Sequence, residues 1–210
     1  MNVNISLKDK KTFVRSSLMR YFFIFLTLCV ISGCTNQKTF PKQVFFYNET
    51  TGKSSLDPAF AKNQSIMWPV HQLYNTLVEI DSSLNIVHSL ARSREISDNR
   101  LVYIFLLRDG ILFHDNYVFP GGKGRILTAK DVVFSFQRIM DKTTASIGAW
   151  IFNNRIVSLS GFKSLDDSTF QLQLLRQFHP ILGILSMQYC SIVPFEVVQK
   201  YGKNFRSHSC

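Results

Sequence analysis

The chain has 210 residues, 46% of them hydrophobic, and a formal net charge of +10. Beyond residue 33 the positive charge is scattered, with no Lys/Arg run longer than two, so it reads as a solvated basic surface rather than a nucleic-acid or anionic-membrane patch. The four cysteines form no CxxC pair and no zinc-like spacing, and the length without a leader suits one domain of ordinary size.

Residues 1–33 read as a secretory signal peptide. Lys8, Lys10, Lys11, Arg15 and Arg20, offset only by Asp9, lead into the apolar run 21–31, which closes on Ser32-Gly33-Cys34. A basic lead-in, a short apolar core and small residues are the layout of a cleaved leader. The run is too short to span a bilayer, which takes about 20 apolar residues. Removing the leader's net +4 leaves +6 on the remainder. Ile31-Ser32-Gly33-Cys34 is similar to a bacterial lipobox, which implies lipidation of Cys34 as the first mature residue, with 34–43 as a polar lipidated tether. An ordinary signal peptide with an incidental cysteine is the alternative, and Met19 is a second candidate start. In an oxidising compartment Cys190 and Cys210 could pair; the favoured reading is a buried free thiol at Cys190.

A strand is predicted at 44–47 and a turn at 51–55. Leu56-Asp57-Pro58 begins an extended stretch, because the residue before proline avoids the helical region. A helix over about 66–76 follows from the spacing of Met67, Val70, Leu73, Tyr74 and Leu77, with Pro69 allowed only in its first turn. Segments 77–80 and 86–90 pair across Asp81-Ser82-Ser83. Strands 101–108 and 111–114 flank Asp109-Gly110, a strong hairpin signal. The clearest helix is 129–141: Thr128 caps it, Asp131 stands three residues on, and Val132, Val133, Phe136, Ile139 and Met140 form one apolar face. A second hairpin joins 162–165 to 169–175 through Asp166-Asp167. Helices at 180–188 and 195–201 complete the order, the latter stopped by Gly202. The layout is mixed α/β (α+β), without repeats.

No active site emerges from the residue types. The loop Phe119-Pro-Gly-Gly-Lys-Gly-Arg125 lacks the Lys-Ser/Thr pair of a phosphate cradle and reads as a solvent-exposed connection. The histidines show no HExxH spacing, and His114-Asp115 has no GxSxG nucleophile to serve. Asp57, Asp131, Asp166 and Asp167 each have a sufficient local role in a turn or cap. Trp68 and Trp150 stand outside strong apolar runs; partial burial is the favoured reading and a cleft wall the alternative. The chain reads as a non-enzyme, with no metal or cofactor.

A resemblance adds function. Ser55-Leu-Asp-Pro58, Leu73-Tyr-Asn-Thr-Leu-Val-Glu-Ile80, Leu107-Arg-Asp-Gly110, Leu127-Thr-Ala-Lys-Asp-Val-Val-Phe-Ser-Phe136, Leu165-Asp-Asp-Ser-Thr-Phe-Gln-Leu172 and Ile192-Val-Pro194 stand in the order found in the extracellular solute-binding proteins of family 5. These are oligopeptide- and dipeptide-binding lipoproteins of ATP-binding cassette importers, which the chain resembles over 44–208. His88 stands where the family usually has proline, Arg94 where it has tryptophan and Leu106 where histidine is common. Arg in place of a buried Trp implies lost packing and the risk of an unpaired charge.

The resemblance implies a periplasmic-binding-protein-like type II fold. Residues 44–210 would be its N-terminal part, an incomplete first lobe with its inserted subdomain, expected to bind peptide weakly or not at all on its own. It implies capture of peptides at the periplasmic side of the membrane and delivery to permease subunits, by a monomer anchored through Cys34 and with no nucleic-acid partner. One cleft wall maps to Lys62, Asn63 and Gln64, and another to 146–150 with Ser146, Gly148 and Trp150, Gly148 replacing a tyrosine of some relatives. The alternatives are a binding protein for another small solute (a nickel complex, haem or a sugar) and a structural surface lipoprotein with no ligand.

Overall fold

The computed structural model describes residues 55–156 and 158–208. The leader, Cys34, the tether, the strand at 44–47, most of the turn at 51–55 and Cys210 lie outside them.

The described chain opens with a short 3-10 turn, Pro58–Phe60, rather than the extended stretch expected. Asp57 is extended, as a residue before proline should be, but its carboxylate accepts from the Ala59 N–H at 3.0 Å and caps the turn. Helix α1 then runs Gln64–Leu73, two residues ahead of its predicted start. Asn63 caps it by accepting from the Ile66 N–H at 3.3 Å, so Pro69 sits in the second turn and removes one interior bond. Leu77, assigned to this helix by its spacing, instead lies beyond its end, fully buried.

Strands β1 (Val78–Ile80) and β2 (Ile86–His88) form the expected antiparallel pair. Asp81 closes its turn by accepting from the Ser83 and Asn85 N–H groups at 2.9 and 2.8 Å. The main sheet is antiparallel, with β3 (Ala91–Ile96), β4 (Val102–Leu107), β5 (Phe162–Ser164) and β6 (Thr169–Gln173) in the order β3-β4-β6-β5. Along β4, Tyr103, Phe105 and Leu107 face inward and Val102, Ile104 and Leu106 only partly so, the alternation of a half-buried strand. β3 had no sequence signal, since Ala-Arg-Ser-Arg-Glu-Ile is polar; as an edge strand it needs one partner only. Arg94 lies half-buried on this edge rather than deep in the core, so its charge reaches water.

Asp109-Gly110 does not make a hairpin. β4 already pairs with β3 on one side and β6 on the other, leaving no edge for a returning strand. Gly110, at φ 71°, turns the chain away. Residues 111–113 instead meet 125–127, through Phe113 N–H to Arg125 O at 3.0 Å and Leu127 N–H to Ile111 O at 2.8 Å.

Helix α2 (Ala129–Met140) lies on the sheet with Val132, Phe136 and Ile139 buried. The Asp131 carboxylate accepts from the Thr128 N–H at 2.9 Å and hydroxyl at 3.1 Å. Thr128→Ala should lower stability by about 1 kcal/mol, read from the denaturant midpoint of the full chain; an unchanged midpoint would show that Asp131 alone holds this end. The loop before α2 is anchored rather than merely exposed. Phe119 is buried, and Arg125 joins Asp131 at 2.6 Å and Glu196 at 2.8 Å through the same guanidinium nitrogen. A methyl group added at Gly124 would stand 1.7 Å from the Phe113 carbonyl oxygen, which explains the glycine there.

Glu196 opens helix α4 (Phe195–Tyr201). Partial burial works to raise its carboxyl, but the hydrogen bond from Arg125, its own N–H and the guanidinium charge outweigh this and hold it below its usual value. Its stabilisation is therefore complete above the ordinary carboxylate range and is lost as pH falls through the depressed value. Acid titration of stability should show a loss in the native chain that is smaller in Glu196→Gln. Helix α3 (Ile181–Leu185) is shorter than predicted and passes into a 3-10 turn, Gln188–Cys190. Gly202 ends α4 at φ 51°, as its C-cap role requires. Cys190 is a buried free thiol, and burial pushes its pKa well above the ordinary thiol value, which keeps it protonated.

Candidate functional site

Three segments distant in sequence meet beside α1. The Pro58–Phe60 turn is tied to the segment after α2 by the Ser146 hydroxyl, which donates to the Ala59 carbonyl at 2.7 Å. Ser146 also accepts from the Gly148 N–H at 3.0 Å, capping the 3-10 turn Ile147–Ile151. Gly148 lies against Tyr189: a Cβ there would stand 2.7 Å from the ring, so no larger residue fits without moving it. Tyr189 belongs to the Gln188–Cys190 turn, whose Gln188 amide nitrogen lies 3.5 Å from His71 Nδ1 on α1.

The result is a surface cleft of about 630 Å³ lined by Gln64, Met67, Trp68, His71, Gln72 and Gln188. No Lys, Arg, Asp or Glu lines it. Three primary amides, an imidazole, a thioether and an indole offer hydrogen bonds to neutral polar groups and an apolar surface beside them. A second cavity, of about 560 Å³, surrounds Asp57 and Arg138. These two charges neutralise each other through paired bonds at 2.8 and 2.6 Å, and Arg206 lies over the Phe60 ring at 3.8 Å. This region braces the turn that carries the cleft wall.

Of the predicted wall residues, Gln64 lines the cleft, Lys62 is exposed and not part of its lining, and the Asn63 side chain caps α1. Ser146 and Gly148 are buried supports, and Trp150 is 44% exposed with Arg155 over its ring. Met67, His71, Gln72 and Gln188 went unrecognised. The stripe that runs along α1 from Gln64 at three- and four-residue steps could have revealed the first three; Gln188 arrives only through tertiary packing. His114-Asp115 lies away from the cleft in an exposed stretch, where Asp115 pairs with Lys123 at 2.6 Å. Among the described residues, no cluster of three or more His, Cys, Asp or Glu side chains could hold a metal ion, and no helix is long and apolar enough to cross a membrane.

Similar proteins place this architecture. The chain is 35% identical over 132 residues to the dipeptide-binding protein of Escherichia coli, covering 59% of this chain and 24% of that one. It is 32% identical over 171 residues to heme-binding protein A of Haemophilus influenzae, covering 77% and 31%. Among solved structures, the ABC transporter-associated periplasmic binding protein DppA of Helicobacter pylori, in complex with the peptide STSA, matches with a TM-score of 0.63 at 31% identity. That match covers 74% of this chain and 32% of the other. The chain thus spans about a third of the length of the curated relatives it matches. Residues 85–209 match the description "Bacterial extracellular solute-binding proteins, family 5 Middle". With the fold of periplasmic binding proteins of type II around an uncharged cleft, the chain belongs to the family 5 solute-binding proteins.

Proposed function

We propose that the chain is part of the substrate-binding component of an ATP-binding cassette peptide importer, capturing dipeptides or oligopeptides outside the inner membrane and delivering them to permease subunits. The observation that carries this reading is the amide-lined, uncharged cleft along α1 in a chain related to a dipeptide-binding protein. Side-chain amides suit the N–H and C=O groups of an extended peptide, whose recognition rests on main-chain hydrogen bonds. The 210 residues supply one wall. A backbone held from one side exchanges its hydrogen bonds with water for little net gain, so the chain alone should bind peptide weakly.

Mass spectrometry of molecules retained on the protein, isolated natively from cell envelopes, tests the assignment. Peptides of mixed sequence support it. Haem, a nickel complex or a sugar in place of peptides would overturn it in favour of another solute, a reading to which the haem-binding relative lends support.

The protein acts on this reading as a monomeric, non-enzymatic lipoprotein held at the periplasmic face through Cys34. Acyl burial contributes about 0.8 kcal/mol per CH₂, so several chains anchor stably. A clickable palmitate analogue should label the native chain and spare Cys34→Ser; equal labelling of both would remove the anchor from the proposal.

A further inference from the structure

We propose that the cavity beside Asp57 is a second ligand site, which takes a small oxyanion (a carboxylate or a phosphate) on Arg206 and Lys203. It is separate from the peptide-capture reading and does not depend on it. Arg138, Lys203 and Arg206 bring three positive charges to the lining of this cavity, and Asp57 brings the one negative charge. Asp57 and Arg138 neutralise each other through their paired bonds, which leaves an excess of two positive charges. Among the described residues, neither Lys203 nor Arg206 has an acidic partner.

Arg206 is positioned before any ion arrives. Its guanidinium carbon lies 3.8 Å from the centroid of the Phe60 ring, a contact that takes none of the N–H donors around the guanidinium edge. Its backbone is fixed as well, since the Leu56 N–H donates to the Arg206 carbonyl at 2.7 Å. Side-chain ordering on binding is therefore reduced. The edge of the fork matches two oxygens of a carboxylate or phosphate. Lys203 stands three residues earlier in the 3-10 segment Gly202–Ser207, where residues three apart share a side, so its ammonium supplies the second charge. The Thr143 and Thr144 hydroxyls in the same lining donate to Asp141 at 2.5 and 3.4 Å, so the ion is left to the two cations. A cationic ligand would find no unpaired acid there. At about 560 Å³ the cavity suits a small molecule, and an ion bound in it would bridge the Pro58–Phe60 turn to the segment after α4.

The test follows the side-chain Nε–H resonance of Arg206 in the full chain, assigned by its loss in Arg206→Gln. Phosphate and acetate are each titrated to millimolar concentration against chloride at matched ionic strength. At least one of the two oxyanions should shift the resonance saturably while chloride does not; the tighter of the two tells a phosphoryl ligand from a carboxylate. Followed at the backbone N–H of Gly202, binding should weaken about tenfold in Arg206→Gln and be lost when Lys203→Gln is added. Arg206→Lys, which keeps the charge without the fork, should restore only part of it. Lys130→Gln, which removes an exposed cation outside the cavity, should leave binding unchanged. An equal response to chloride, binding that survives the double variant, or no response to either oxyanion would overturn the site.

Discussion

Replacing Phe136 with alanine should destabilise the fold by about 3–5 kcal/mol, among the largest effects of any single truncation in the described chain. Phe136 is fully buried at the meeting of α2 with the sheet. Its ring centroid lies 5.2 Å from Phe152, 5.6 Å from Phe162 and 5.4 Å from Phe170, with edge-on geometry to the last two. Phe170 in turn faces its cross-strand partner Phe105, and Phe152 packs edge-on against Phe162 at 4.9 Å. Truncation removes the ring held by three others and leaves a cavity that stiff neighbours on two strands cannot close. Phe136→Leu, which keeps much of the volume, should cost clearly less. Denaturant unfolding of the full chain measures both; equal costs would mean that the site collapses freely and that the aromatic cluster is not its cause.

The second large effect concerns Asp57 and Arg138. The Asp57 carboxylate is 2% exposed and takes two hydrogen bonds from a guanidinium that is itself 12% exposed. Removing either partner strands the other charge in the interior, so Arg138→Met and Asp57→Asn should each lower stability by about 3–5 kcal/mol. The double variant should cost much less than the sum of the two, because it leaves no orphaned charge. Additive losses would show that water reaches the pair. Asp57 also caps the turn from which the cleft wall departs, so its loss should loosen the 58–64 segment as well. Hydrogen exchange at Ala59, Ala61 and Ile66 reports that loosening separately from global unfolding.

The sequence alone determined those elements whose signal is complete within a few residues. Helix α2 was legible because cap, first-turn acid and apolar stripe all lie within Thr128–Met140's own local pattern. The β1–β2 and β5–β6 pairs were legible because their turns carry the Asp and Ser residues that close them through side-chain hydrogen bonds. The ordered motifs of the family reached still further, to the fold. Tertiary structure decided the rest. Asp109-Gly110 carried a strong local hairpin signal, yet both edges of β4 were taken by β3 and β6, so pairing elsewhere in the sheet overrode it. Asp57 and Asp131 looked like local capping residues until the fold brought Arg138 to one, 81 positions away, and joined the other through Arg125 to Glu196, 71 positions from that arginine. The cleft has the same origin: Gln188 meets His71 across 117 residues of chain. Capping and turn closure act between near neighbours and leave their mark in composition. Strand pairing, burial of charge and the shaping of a cavity act between residues that only the packed chain makes neighbours.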